Sequence, residues 1–333
     1  MKILIYSPKF FPSVGGLENL TLMLARQFLA KGNQVKVISS EMPGEEKIDV
    51  DVYYNPSVLL QVKLFKWADI LYMPNLSLKG LWLLILNPFK KWVVSHNGWY
   101  ADFSNPARVN ETIKLFLIKF SKNISVSQSV SEYIKTSSIV IPNCYDNITF
   151  QVSQLPEERK IDFLFVGRLV SDKGIDTLLQ AFLKVHQANP DIQLSIVGDG
   201  EMKEMAISFI EENNLHNSIS LKGKLVGKDL GSEFNRHKIL VVPSKWPEPF
   251  GIVALEGLAC GCKVICSSEG GLPEAVGEFG VLFKNGSVDE LAIAMENILN
   301  NPPVYDEKRL NIFLEDHNPE KVAVEYLKVF EKR

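Results

Sequence analysis

Two carboxylates, Glu248 and Glu256, bracket the run Pro249-Phe250-Gly251-Ile252-Val253-Ala254-Leu255. Such a pair can serve sugar chemistry as general acid and base, or as acid and nucleophile. Their setting points elsewhere. Glu248 follows the apolar strand pattern Lys238-Ile239-Leu240-Val241-Val242 and a short Pro-Ser-Lys-Trp-Pro loop. Glu256 falls about two turns further on, in a helical pattern. The backbone N–H groups of Phe250, Gly251, Ile252 and Val253 are expected to project from that helix's N-terminus, where unpaired donors suit a phosphate. Gly251 has no side chain to keep a ligand off the backbone. The stretch is therefore expected to grip a nucleotide diphosphate.

Other candidate groups stand at matching points of strand-helix units. The strand pattern Ile161–Val166 ends in Gly167-Arg168, and Lys173 precedes the next helix. Two cations flanking one strand-to-helix turn suit a pyrophosphate. Plain surface charge, with Asp172 neutralising one of them, is the other reading. Val197-Gly198-Asp199-Gly200 lacks the third glycine of a dinucleotide fingerprint and fits a tight turn beneath a nucleoside equally well. Gly15-Gly16 is either a tight turn or a loop that admits phosphate or sugar to the backbone. His96, followed by Asn97-Gly98, closes the strand pattern Lys91–Ser95, where α/β ligand sites gather. It reads as a donor to a sugar hydroxyl or an orienter of a reacting group, against a histidine in a surface loop.

The elements that must position these groups alternate. Lys2–Ser7 is a buried-strand pattern, Leu17–Lys31 a helical one, and Gln34–Ser39 a second strand, which together open a doubly wound α/β unit. The alternation continues through Asp69–Met73, Lys91–Ser95, Asn123–Ser127 and Ile139–Ile141. It resumes at Ile161 and runs through Ile192–Val197, Ser220–Gly223, Lys238–Val242, Lys263–Ser267 and Val281–Lys284. Between the two series, the polar stretch 151–160 reads as a linker. The expected architecture is α/β, with Rossmann-like domains over 1–150 and 151–315 and a terminal helix in 316–333.

A chain of 333 residues, 46% hydrophobic, can fill two cores. The net charge of -3 argues against a dedicated nucleic-acid binder. Cys144, Cys260, Cys262 and Cys266 form no CxxC pair, so no zinc site is expected. The longest apolar run, Leu81–Leu86, falls far short of the ~20 residues of a membrane span, and Pro8 ends the first apolar run too early for a signal peptide. These features lead to the expectation of a cytoplasmic protein with reduced thiols. Two segments, 78–92 and 110–122, mix apolar and basic residues, Phe89 with Lys90 and Lys91 in one, Phe116 and Phe120 with Lys114 and Lys119 in the other. They read as peripheral contacts with the inner face of an anionic membrane, or as core helices with solvated basic edges.

In order along the chain, several stretches resemble one large family. They are Gly15-Gly16, Pro142-Asn143, Gly167-Arg168-Leu169 with Lys173-Gly174, Val197-Gly198-Asp199-Gly200, Pro243-Ser244 through Glu256, Gly261, and Gly270-Gly271-Leu272-Pro273-Glu274. The family is the retaining nucleotide-sugar glycosyltransferases of family 4 (glycosyl transferases group 1), whose GT-B fold has two Rossmann-like domains facing across a cleft. Glu248 and Glu256 match its E-x7-E signature. The resemblance implies that Glu248 binds hydroxyls of the donor sugar and Glu256 those of the ribose. It implies that Arg168, Lys173 and the amides of Phe250 to Val253 hold the diphosphate. It puts Gly15 and Gly16 under the donor phosphates or the acceptor, His96 near the transferred sugar, and Gly198 to Glu201 (with Asp199), together with the loop Gly223 to Val226, beside the nucleoside.

The activity so implied is metal-independent and cofactor-free: transfer of a hexose from a UDP-sugar, UDP-glucose first, to a saccharide or lipid-linked saccharide. No DxD motif stands at a strand end, since Asp49-Val50-Asp51 runs into Val52-Tyr53-Tyr54. No nucleophile is placed for double displacement, so retention by a front-face route is expected. In similar proteins the final helix crosses back to the N-terminal domain. Gly44–Asn55 departs from the family, being brief where relatives carry acceptor-binding insertions. The rival readings are a nucleotide-sugar epimerase, a phosphorylase-like enzyme with Lys245 or Lys263 as Schiff-base lysine, and a non-catalytic nucleotide-sugar-binding module.

Overall fold

The computed structural model describes the chain except residues 14, 46, 101–108, 156–157 and 333, and the side chains of 109 and 110. The chain divides into two compact units, Met1–Cys144 with His317–Arg333, and Tyr145–Asp316.

The first unit is built on strands β1 (Lys2–Tyr6), β2 (Gln34–Ser39), β3 (Asp51–Tyr54), β4 (Ile70–Met73), β5 (Lys91–His96), β6 (Lys122–Ser125) and β7 (Ile139–Val140). They form one parallel sheet in the order β3-β2-β1-β4-β5-β6-β7. Strands such as Ile70-Leu71-Tyr72-Met73 are apolar at every position and wholly buried, as a parallel sheet with both faces covered requires. Helices α1 (Gly16–Ala30), α2 (Val58–Trp67), α3 (Leu83–Leu86), α4 (Val109–Leu117) and α5 (Gln128–Ile134) connect them. Ser57 and Ser127 cap α2 and α5 by accepting the N–H groups of Leu60 and Val130.

The second unit repeats the plan. Strands β8 (Ile161–Val166), β9 (Leu194–Val197), β10 (Ile219–Gly223), β11 (His237–Val242), β12 (Lys263–Ser267) and β13 (Gly280–Phe283) form a parallel sheet in the order β10-β9-β8-β11-β12-β13. Its helices are α6 (Ile175–Ala188), α7 (Lys203–Glu212), α8 (Gly227–Arg236), α9 (Ile252–Ala259), α10 (Leu272–Val276), α11 (Val288–Asn300) and α12 (Glu307–Asp316). The last helix, α13 (Pro319–Glu331), packs in the first unit, where Tyr326 and Phe330 join Phe28 and Tyr72 in an aromatic cluster. The rings of Tyr72 and Phe330 lie 5.3 Å apart, and Lys91 Nζ donates to the Phe330 carbonyl at 2.7 Å.

The stretch expected as a linker is fastened to the second unit. Asn235 of α8 accepts from the N–H of Ser153 and donates to the Gln151 carbonyl. The buried Arg159 guanidinium donates to the carbonyls of His237 and Cys260 at 2.9 and 2.6 Å. Residues 156 and 157 of that stretch lie outside the described residues.

Both mixed segments are divided between core and surface. In 78–92, Leu83 and Trp92 are buried while Ile85 and Phe89 are exposed, Phe89 at 95%. In 110–122, Ile118 is buried while Phe116 and Phe120 stack edge to face at the surface, 5.5 Å apart. Among the described residues, no helix is long and apolar enough to cross a membrane.

Candidate active site

The order of the second sheet reverses between β8 and β11, the point at which open α/β sheets bind ligands beyond their strand ends. After β8 the chain passes Gly167-Arg168-Leu169 and a 3-10 turn, Ser171–Lys173, before α6. After β11 it passes Pro243–Glu248 before α9. The two loops are stitched together, since the N–H groups of Lys245 and Trp246 both donate to the Asp172 carbonyl, at 2.9 and 3.3 Å. Gly174 has φ +70°, and a Cβ there would lie 1.9 Å from the Pro243 carbonyl oxygen. Only glycine lets the loops approach so closely.

That approach brings Lys173 to Glu248. Lys173 Nζ pairs with Glu248 Oε1, with the side chains 25% and 17% exposed. Ser244 Oγ donates to the same oxygen at 2.7 Å, and the Ser244 carbonyl is held in turn by Ser267 Oγ at 2.7 Å. Two residues given separate sequence-based roles are thus partners. Ser244, quoted in the family motif without a role, aims the carboxylate. Arg168 is exposed and makes no ion pair among the described residues.

Glu248 is held at its backbone as well, by an isolated parallel bridge to Gly270 and by the N–H of Gly271, which donates to its carbonyl at 2.7 Å. The Phe250 ring is buried and anchors the loop, and Gly251, at φ +107°, caps α9. The first bond of that helix runs from the Ala254 N–H to the Gly251 carbonyl at 3.0 Å. The N–H groups of Ile252 and Val253 have no backbone acceptor among the described residues, so two donors stand open at the helix end.

Glu256 lies one turn further along α9. It keeps some exposed surface, yet its carboxyl is enclosed by protein. Burial, reinforced by the charge of Asp146, pushes its pKa up to about 8 from 4.5. The folded state therefore favours the protonated acid. Stability from this source is fully present below about pH 4.5 and is lost as pH rises towards 8. Glu256→Gln is expected to raise Tm more at pH 8 than at pH 5, read by thermal melts at the two pH values. Equal shifts would mean that the carboxyl ionises normally.

The remaining predicted donor-side residues pack as follows. Gly198, at φ +145°, would place a Cβ 1.8 Å from the Gly167 carbonyl oxygen, so the loop after β9 presses directly on the loop after β8. That packing alone accounts for the glycine. Asp199 Oδ1 accepts the Gly200 N–H at 2.8 Å, and Val226 is exposed just before α8. The two lysines weighed as Schiff-base formers are engaged elsewhere. Lys245 pairs with Asp176, and Lys263 Nζ lies 4.3 Å from the centre of the Tyr305 ring.

His96, Gly15 and Gly16 belong to the first unit. His96 is neither in a surface loop nor open to solvent. It ends β5 fully buried, with both ring nitrogens bonded. Asn123 donates through its amide nitrogen to the carbonyl of Ile118, which leaves Oδ1 to accept from His96 Nε2–H at 3.0 Å. Nδ1 then accepts from the Tyr100 hydroxyl at 2.6 Å. Burial lowers the His96 pKa to about 4, so the ring is neutral at physiological pH. A contact from this ring to a sugar requires exchange of one of these bonds. Tyr100 and Asn123, to which the sequence assigns no role in a site, set its tautomer. Gly15 caps α1 in an extended conformation, with the Glu18 carboxylate folded against it, and Gly16 begins the helix with open space where a Cβ would stand.

Two doubly wound parallel sheets, one carrying a lysine–carboxylate pair and open helix amides at its reversal, make up a GT-B fold. The family described as glycosyl transferases group 1 matches residues 146–312, and the chain belongs to it. It is 32% identical over 202 residues to an uncharacterised glycosyltransferase of Methanocaldococcus jannaschii, covering 60% of this chain and 53% of that protein. It is 28% identical over 218 residues to glycogen synthase of Mycobacterium tuberculosis, covering 62% and 52%. In these two matches the chain spans about half the length of the relative. The sucrose-phosphate synthase of Thermosynechococcus elongatus shares the fold at a TM-score of 0.79 and 21% identity, over 99% of this chain and 98% of that one. Anabaena HepE in complex with UDP and glucose does so at 0.80 and 18%, over 100% of both.

Proposed function

We propose that the protein is a retaining, metal-independent glycosyltransferase of glycan biosynthesis. On this reading it moves a hexose from a UDP-sugar to a saccharide or lipid-linked saccharide acceptor held by the first unit. The observation that carries the reading is the meeting of Lys173, Glu248 and Ser244 at the β8/β11 reversal, beside exposed Arg168 and the open amides of Ile252 and Val253. In the reaction the bond from the sugar's anomeric carbon to the diphosphate breaks, and charge builds on the leaving phosphate. Fixed cations and amides act where that charge develops. Lys173 exchanges Glu248 for the diphosphate, which frees Glu248 to accept sugar hydroxyls, while Glu256 takes the ribose hydroxyls. The leaving phosphate oxygen takes the acceptor's proton, and the new bond forms on the face it vacates, which gives retention.

UDP-glucose is the first donor to try, supported by the HepE complex with UDP-glucose, which shares the fold. Thermal melts with UDP, GDP and their sugars, followed by assays of nucleotide release, test the proposal. UDP-glucose is expected to raise Tm and to be turned over in EDTA. Loss of turnover in EDTA would remove the metal-free reading. Tight binding without nucleotide release from any common donor would point to a binding module, and an altered sugar still joined to UDP would point to an epimerase.

The reading extends to an anionic membrane surface at the inner face of the cell membrane, on the strength of exposed Ile85, Phe89, Phe116 and Phe120, with exposed Lys119 between the last two in sequence. Sedimentation with anionic vesicles is expected, and its loss in Phe116→Ser/Phe120→Ser. Equal sedimentation of both proteins would place the contact elsewhere.

A further inference from the structure

The first sheet has its own reversal, between β1 and β4, and a cavity of about 410 Å³ opens there. Ligand sites commonly span ~300–1,000 Å³. Its described lining residues all belong to the first unit, with Tyr6 and Pro74 from the strand ends and Leu17, Leu76 and Leu78 supplying apolar wall. Among the described residues, three lysines, Lys9, Lys79 and Lys114, line it against one carboxylate, Glu18. This local excess of cations stands out in a chain with 36 Lys and Arg against 39 Asp and Glu. Lys9 and Lys79 have no acidic partner among the described residues, and Lys114 Nζ lies 5.2 Å from the centre of the Tyr100 ring. Asn75 is oriented by the Asn97 N–H, which donates to its Oδ1 at 3.0 Å, so its NH2 is the donor left to a ligand.

We propose that this cavity binds the acceptor as an anion, namely a saccharide that carries a phosphate or a carboxylate. The anionic group sits among Lys9, Lys79 and Lys114. Hydroxyls donate to Glu18 and accept from Asn75, and the apolar wall takes the C–H face of the sugar ring. The inference rests on the glycosyltransferase reading, because a protein that only binds donor needs no second sugar site. An anion in the cavity meets more positive than negative side chains among the described lining residues. The fold-level argument is the position itself, since crevices at such reversals are where α/β sheets take ligands.

Calorimetry on the intact protein separates this proposal from the donor reading. The probes are glucose 6-phosphate, glucuronate and methyl glucoside, each with UDP measured in parallel. Phosphatidylcholine vesicles with and without phosphatidylinositol distinguish a lipid headgroup from a free sugar phosphate. The two anionic sugars are expected to bind at least about tenfold more tightly than methyl glucoside at low salt, with the advantage shrinking as salt rises. Lys9→Met, Lys79→Met and Lys114→Met, which keep the stems, should each weaken anion binding several-fold and leave UDP binding unchanged. Glu18→Gln should act in the opposite direction, tightening the anion and weakening methyl glucoside. Equal affinity for charged and neutral sugars, or anion binding untouched by the triple Met variant, would overturn the proposal. If anions bind at the lysines while UDP does not bind at all, the anion site stands and the donor reading falls.

Discussion

Lys173→Ala is expected to lower kcat about 10²–10³-fold, the loss seen when one pre-placed donor to developing negative charge is removed. The expectation follows from where the ammonium group stands. It is held 25% exposed at the reversal of the second sheet, paired with a carboxylate that, on the proposed reading, it exchanges for the diphosphate. The fold should hardly notice. A partly exposed ion pair contributes about 1 kcal/mol or less, which moves Tm by roughly 2–4 °C in a unit of this size. Lys173→Arg keeps the charge but replaces a compact ammonium with a planar fork, and partial recovery of turnover is expected. Nucleotide release within a few-fold of the parent protein for Lys173→Ala would remove Lys173 from the leaving-group chemistry. Parallel measurement of UDP affinity tells whether the lost interaction belongs to the ground state or only to the transition state.

The strands other than β3 were legible because parallel sheets bury both faces, so their segments read as short apolar runs; Leu240, Val241 and Val264 are examples, whereas β3, with no fully buried residue, was not read as a strand. The loops after β8 and β11 were legible as candidate sites because charged residues there interrupt apolar patterns. The pairing of Lys173 with Glu248 was not. It depends on β8 and β11 being neighbours, a fact of strand order that no local pattern encodes. The burial of His96 was also hidden. Its place at a strand end is visible in the sequence, but Asn123 on β6 and Tyr100 beyond β5 reach it only once the sheet has formed. The raised pKa of Glu256 depends likewise on Asp146, brought near by the fold. Helix α2 escaped the sequence reading because its outward positions Val58 and Leu59 are apolar too, which blurs the period that a buried stripe would show. Gly198 shows the converse case: the residue was singled out for a ligand, and the Gly167 carbonyl beside it supplies a packing reason that the sequence could not show.

Gly174→Ala should do more damage than its size suggests, and to both stability and turnover. Alanine at φ +70° costs about 1–2 kcal/mol in backbone strain. Its Cβ would also stand 1.9 Å from the Pro243 carbonyl oxygen, a backbone atom that cannot swing aside as a side chain can. Forced separation of packed groups adds about 1–3 kcal/mol. Together these terms predict a loss of roughly 2–5 kcal/mol, or about 4–20 °C in Tm. The functional consequence is more specific. The two loops can relieve the clash only by moving apart, and that motion draws Lys173 away from Glu248 and Ser244. A misplacement of about 1 Å can cost roughly 10²-fold in rate. Gly32→Ala is the control, because Gly32 has φ +80° but nothing within 4 Å of where its Cβ would be. It should show the backbone strain alone, with turnover unchanged. If Gly174→Ala and Gly32→Ala lose the same stability and both keep full turnover, the close approach of the β8 and β11 loops is not what assembles the site.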